Sequence, residues 1–248
     1  MEAAELGLFM LSACTFGVLL EHPMSSVNQA IDSAFVRHLL GGLAMAATAI
    51  CIFLSPWGKR SGAHLNPSVT LNYYLLGKIE GRDAALYIVF QFLGGIGGVL
   101  LADLLLGPPV RHTAVNYAVT MPGHYGVAAA LLAEVIISFG MMLTVLLVSN
   151  HKRLSRWTPW FAATLIALYI TFEAPISGMS MNPARTFGSA FVAREWSALW
   201  IYFAGPLLGM FLAGQLYVAR FGAHKVFCAK LHHHNRARCI FRCNFGEL

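Results

Sequence analysis

Two stretches of this chain carry the same punctuation. Ser61-Gly62-Ala63-His64-Leu65-Asn66-Pro67-Ser68 and Ser177-Gly178-Met179-Ser180-Met181-Asn182-Pro183-Ala184 each run Ser-Gly, three residues, Asn-Pro and a small residue. Each follows two long apolar segments and precedes a third, and Ala4-Glu5 in the first segment is echoed by Ala133-Glu134 in the fourth. A repeat of this kind constrains architecture more than any local propensity. Three segments per half is an odd number. If the segments cross a bilayer, the second half enters from the opposite face, which makes an inverted repeat with its two-fold axis in the membrane plane.

Composition says that they do cross. The chain is 57% apolar and only 11% charged, where a soluble domain carries roughly 25% charged residues. Six apolar windows are candidate spans, at 3–20, 34–54, 84–106, 126–149, 158–175 and 196–219. The start, Met-Glu-Ala-Ala-Glu, is acidic where a cleavable leader is basic, so the first segment is expected to be retained. The division predicted is a first repeat over 1–106, a Pro- and Gly-rich extracellular linker over 107–125, a second repeat over 126–222 and a basic tail over 223–248.

The net charge of +6 needs no nucleic acid. Lys59, Arg60, Lys78, Arg82, Lys152, Arg153, Arg156 and the basic residues of the tail all fall on one side of a six-span chain, against chiefly Arg37, Arg111 and Arg194 on the other. The positive-inside rule then predicts cytoplasmic termini. The five cysteines form no disulfide framework, and no nucleophile–base pair occurs in the spans, so no catalytic residue and no enzyme activity is expected.

Asn before Pro is the start of a helix, with Asn as cap and Pro at the first position. Segments 67–76 and 183–192 are too short to cross about 30 Å of hydrocarbon. They read as re-entrant half-helices, which survive at that depth only when buried in protein or lining a watery cavity. The oxygen of a capping Asn accepts from its own helix while its NH2 remains a donor. Two such donors at the midplane would hold a passing water by its oxygen, and the two helix N-termini would repel cations and protons. Gly62, Ala63, His64, Leu65, Gly178, Ser180 and Met181 are expected to offer a line of backbone carbonyls.

Residues 1–222 resemble the aquaporin (major intrinsic protein) family. Ser61–Leu71 is close to its first motif and Met181–Ala190 to its second, with Ser68 where the family usually has Ala. The resemblance implies an all-α membrane fold of six transmembrane helices plus two re-entrant half-helices, a homotetramer with one pore per subunit, and no cofactor. Asn66, Pro67, Ser68, Asn182, Pro183 and Ala184 become the pore motifs, and Glu5 and Glu134 structural carboxylates that accept from the loops. Arg185 resembles the selectivity-filter arginine; an intramembrane Arg is by default functional. Filter partners are carried over to Ile170 on helix five and Gly41 on helix two, with Met179 from the loop.

The solute is less constrained. Gly41 and Ile170, where water-selective relatives have an aromatic and a His, imply a wider, more apolar constriction open to glycerol, urea, ammonia or hydrogen peroxide. Thr186, Ala190 and the pair Tyr202-Phe203 resemble water channels instead. Water is retained as the solute, with the broader facilitator as the alternative. An ion-coupled transporter would need an ionisable midplane site where Asn stands, and a closed structural protein on this fold is left open. The tail's His232, His233, His234, Cys239 and Cys243 match no standard metal spacing, so no metal is assigned and the tail is read as a solvated, lipid-facing basic strand. The short ends and absent targeting signal point to a bacterial inner (plasma) membrane.

Overall fold

A computed structural model describes all 248 residues as helices and loops, without a β-strand. Eight helices form the frame: α1 (Glu2–Glu21), α2 (Ala34–Leu54), α3 (Pro67–Leu75), α4 (Gly81–Leu106), α5 (Gly126–Ser149), α6 (Thr158–Phe172), α7 (Pro183–Ala193) and α8 (Ile201–Phe221). Five of them (α1, α2, α4, α5, α8) are long and apolar enough to cross a membrane. The fifth predicted span, α6, has 15 residues and is extended by one-turn pieces at Ser155–Trp157 and Ala174–Ser177. Pro159 at its start and Pro175 beyond its end mark where a continuous helix cannot run. The half-helices α3 and α7 begin at the prolines expected.

Each half crosses its first and third helices on glycine. A side chain at Gly94 would strike the Ala3 carbonyl, and one at Gly98 the Gly7 carbonyl, both at 2.3 Å, so α1 and α4 touch backbone to backbone. In the second half Gly209 lies equally close to the Val135 carbonyl, and Gly205 to Glu134 Cβ. Such small-residue contacts let helices associate where lipid removes the hydrophobic drive between them. Gly95 joins the halves: it abuts the Ala184 carbonyl, and Gly188 abuts it in turn. Gly97 meets nothing and faces outward. Leu86, Leu93, Leu104, Leu132 and Ile136 are more than half exposed; on an apolar bundle this is the face that lipid or another subunit covers.

The molecule has two ends. The linker side gathers the α1–α2 connection, the 107–125 linker and the residues after α6 and α7, with His22 packed on His112 at 4.8 Å and Gly123 N–H donating to Ile176 O at 2.8 Å. The tail side gathers the N-terminus, the loops after α2, α3 and α5, and residues 223–248.

The tail departs from the expectation of a solvated strand. Val226, Phe227, Cys228, Ala229 and Lys230 are buried. Phe227 N–H donates to Asn150 Oδ1 (2.8 Å), Leu231 N–H to Gly62 O (3.2 Å), and Arg242 N–H to Lys78 O (3.0 Å). Folding back over the loops buries Val226, Phe227 and Phe241 together with Lys230, whose ammonium is held by Asn235 Oδ1 and Ala237 O, while Lys225, Arg236, Arg238 and Arg242 stay exposed.

Candidate functional site

The two Asn-Pro loops meet inside the bundle with matched geometry. Asn66 Oδ1 accepts from Ser68 N–H (2.9 Å), and Asn182 Oδ1 from Ala184 N–H (3.0 Å) and Arg185 N–H (3.2 Å). Each amide also reaches across: Asn66 Nδ2 donates to Met181 O (2.6 Å) and Asn182 Nδ2 to Leu65 O (2.8 Å). An amide has two N–H groups, so each Asn spends one on the opposite loop and keeps one for the cavity that both residues line. Ser68 fits the small position, 1% exposed, with its hydroxyl unpartnered.

The carbonyl line follows from where the N–H groups go. His64 N–H and Leu65 N–H both donate to the Glu2 carboxylate, at 3.1 and 2.7 Å. Ser180 N–H and Met181 N–H both donate to Glu134, at 2.8 and 2.7 Å. In a planar trans peptide the carbonyl points opposite its N–H, so Ala63 O and His64 O, and Met179 O and Ser180 O, turn away from the carboxylates toward the cavity. Holding this pose puts Ala63, Leu65, Met179 and Met181 at φ of 51–54°, a strain of about 1–3 kcal/mol each. Gly62 and Gly178 open both loops at φ of 87° and 82°, where glycine pays no such cost.

Three expectations change here. Leu65 O and Met181 O are committed to the asparagines. Gly62 does not line the cavity, because its carbonyl accepts Leu231 N–H from the tail. His64 contributes more than a carbonyl: its buried ring joins Thr70 Oγ1 (3.0 Å) and Ala229 O (2.9 Å).

The pairing of Glu5 with Glu134 also shifts. Glu134 holds Ser177 Oγ (2.7 Å) as well as its two N–H groups. In the first half that work is divided: Glu5 accepts from Ser61 Oγ (2.8 Å), while Glu2 takes the N–H groups and Gln91 Nε2 (2.7 Å). The Ala-Glu echo pointed to Glu5 and hid Glu2. A second matched pair went unread: Tyr87 and Tyr202 donate to Ser61 O and Ser177 O, each at 2.6 Å. Tyr202 is thus a strut for the loop and does not line the pore.

The cavity, about 270 Å³, runs from Glu21, Arg37 and His38 on the linker side, past both asparagines, to Leu231 on the tail side. Gly41, Ile170, Met179 and Arg185 all line it. Gly42 abuts the Ala167 carbonyl and Thr171 Oγ1, so α2 and α6 pack closely where Gly41 and Ile170 line the cavity. Arg185 is fixed by Nη1 donating to Ala118 O at 2.8 Å. The linker therefore holds Arg185 through a contact that its Pro/Gly composition did not announce, and Thr120 Oγ1 bonds Thr186 Oγ1 at 2.7 Å beside it. Thr186, Ala190, Tyr202 and Phe203 line no part of the cavity.

Comparison with known proteins agrees with this geometry. The family model described as Major intrinsic protein matches residues 3–217. Mouse aquaporin-4 is 34% identical over 71% of this chain and 53% of its own length. Maize aquaporin TIP4-4 is 32% identical over 74% of this chain and 73% of its own. The chain thus spans about half the length of the first and three quarters of the second. The X-ray structure of the aquaglyceroporin from Plasmodium falciparum superposes with a TM-score of 0.69 at 18% identity, over 87% of this chain and 92% of that one, a likeness of fold. The repeat, the two capped half-helices and these matches lead to one assignment: the chain belongs to the major intrinsic protein family.

Proposed function

We propose that the protein is a passive membrane channel for water whose constriction also admits small uncharged solutes of glycerol's class. The observation that carries the reading is the cavity itself, continuous from Arg37 to Leu231 and bordered at mid-depth by Asn66 and Asn182. Each asparagine keeps one N–H for a water oxygen. Both half-helix N-termini aim their positive ends at the same point, and Arg185 adds a full charge. A cation meets repulsion there, and a water held by its oxygen cannot pass a proton along the chain.

The broader solute range rests on which side chains reach the lumen. Gly41 and Ile170 do, Gly41 bringing no side chain and Ile170 an apolar one, so neither side chain offers a hydrogen-bond donor. The residues that resembled water-only relatives are spent elsewhere, Thr186 on Thr120 and Tyr202 on the Ser177 carbonyl. In the proposed assembly four copies bury the exposed leucine face, and the tail side is the cytoplasmic side of a plasma membrane, as the Lys/Arg bias requires. Asn66, Pro67, Ser68, Asn182, Pro183 and Ala184 form the narrow centre, and Arg185, Ile170, Gly41 and Met179 the filter. Glu2 is the support in the first half that joins Glu5, opposite Glu134 in the second.

The test is stopped-flow light scattering on proteoliposomes in two gradients, one of an impermeant osmolyte and one of glycerol. Fast shrinkage followed by glycerol-driven re-swelling is expected. Shrinkage without re-swelling would restrict the pore to water.

A further inference from the structure

The tail doubles back after Cys228 and brings four soft ligands to one point. Cys228, His233, Cys239 and Cys243 place their sulfur and ring-nitrogen atoms all within 4.8 Å of one another. Cys228 Sγ lies 3.4 Å from Cys239 Sγ, and His233 Nε2 lies 3.1 Å from Cys243 Sγ. The thiols are free, and the sulfur separation far exceeds a disulfide of about 2.05 Å. Sulfurs at about 2.3 Å from a central zinc, arranged tetrahedrally, stand about 3.8 Å apart. Three thiolates with one imidazole are the donor set of a closed structural zinc site. The order Cys-x4-His-x5-Cys-x3-Cys is not a standard spacing, so the residues showed no site until the chain was folded.

We propose that Cys228, His233, Cys239 and Cys243 bind one zinc ion, and that the loaded site clamps the tail over the tail-side mouth of the pore. The surroundings suit an ion. The His233 ring is stacked on Phe245 at 4.1 Å and 13°, which aims Nε2 at the sulfurs. Phe245 N–H donates to Cys243 Sγ at 3.5 Å. The loop between His233 and Cys239 is closed by Lys230, whose Nζ donates to Asn235 Oδ1 and Ala237 O, each at 3.2 Å. Three thiolates around Zn2+ leave one net negative charge, and Lys230, Arg236, Arg238 and Arg242 lie on the same short segment. Cys228 is buried and Cys243 exposed, so the ion has a way in. Binding forms four metal–ligand bonds and releases the three thiol protons to water.

The residues that reach the pore lie inside the metal-bound segment. Ala229, next to Cys228, accepts from His64 Nε2, and Leu231 bonds Gly62 and lines the cavity. Phe241, between Cys239 and Cys243, stacks on the His64 ring at 5.4 Å and 11°. Metal binding is folding free energy for a segment this small, so zinc holds Leu231 in the mouth and its removal releases it. This clamp rests on the channel reading; the metal site does not.

Cobalt(II) titration of the full-length protein, made without an added His tag, tests the site first. One equivalent per chain should give intense thiolate-to-cobalt absorption and tetrahedral visible bands, displaced by zinc. Both should be lost in Cys239→Ser and Cys243→Ser and kept in Cys51→Ser, a thiol outside the cluster. Absence of these bands from the wild type, or their survival in both variants, overturns the site. Water permeability tests the clamp: chelation, or Cys239→Ser, should raise it severalfold over the zinc-loaded wild type. Equal, fast rates in all preparations overturn the clamp. Rates no better than empty vesicles in every preparation overturn the channel reading, and the cobalt spectrum still decides the metal site.

Discussion

The two Asn-Pro loops share a backbone and differ in what holds and covers them. The second loop hangs on one carboxylate: Glu134, wholly buried, accepts from Ser177, Ser180 and Met181. The first divides the same load between Glu2 and Glu5, whose carboxyl groups neighbour each other, and adds Gln91. Their outer coverings come from unrelated segments. The linker packs on Gly178 and holds Arg185, while the tail packs on Gly62 and His64. The repeat thus builds a symmetric centre, and what lies outside the repeat makes the two ends of the cavity different: the linker holds Arg185 at one, and the tail packs beside the other.

The largest expected effect breaks the single support. Glu134→Ala strands two buried N–H groups and a hydroxyl, at about 1–3 kcal/mol each, and should abolish the stable folded protein in thermal unfolding monitored by size-exclusion chromatography. Glu2→Ala strands the equivalent N–H groups, but Glu5 remains beside them, so a folded protein with a lower Tm is expected. A greater loss in Glu2→Ala than in Glu134→Ala would reverse the comparison.

Next come changes confined to the linker end. Arg185→Val removes a charge from the cavity lining and should raise glycerol flux severalfold while admitting small cations, read by vesicle re-swelling and conductance. The pair Gly41→Phe and Ile170→His adds bulk and a donor to the cavity lining. Glycerol flux should fall at least tenfold, with water flux falling far less. An unchanged glycerol-to-water ratio would show that Gly41 and Ile170 do not set the solute range.

The smallest effect concerns a difference at the symmetric centre itself. Ser68 stands where the second loop has Ala184, and its buried hydroxyl has no partner. Ser68→Ala should be neutral or stabilising by about 1 kcal/mol, with permeability unchanged, by the same thermal unfolding assay.

What the sequence made legible follows from symmetry and spacing. The half-helix starts at Pro67 and Pro183 and the inverted repeat were readable because capping is local and the repeat was written twice. Glu2 was missed because the support in the first half is split, and the Ala-Glu echo pointed to Glu5. The strut role of Tyr87 and Tyr202 was not legible, and Tyr202 was read with Phe203 as resembling water channels, because a bond to a backbone carbonyl leaves no pattern beyond an aromatic residue some way past each loop. The linker's hold on Arg185 through Ala118 O uses a backbone atom, which no side-chain identity advertises. The tail was misread because its basic residues dominate the composition, while burial of Val226, Phe227 and Phe241 decides where it goes.

The central claim is that opposed, capped half-helices enclose a path for water. Osmotic shrinkage of vesicles carrying the full-length protein, before and after chelation of bound metal, tests it most directly. The account predicts shrinkage well above that of empty vesicles in at least the chelated sample, with no accompanying proton leak in a pH-dye assay. Shrinkage equal to empty vesicles in both samples, or water flux accompanied by proton flux, would contradict it.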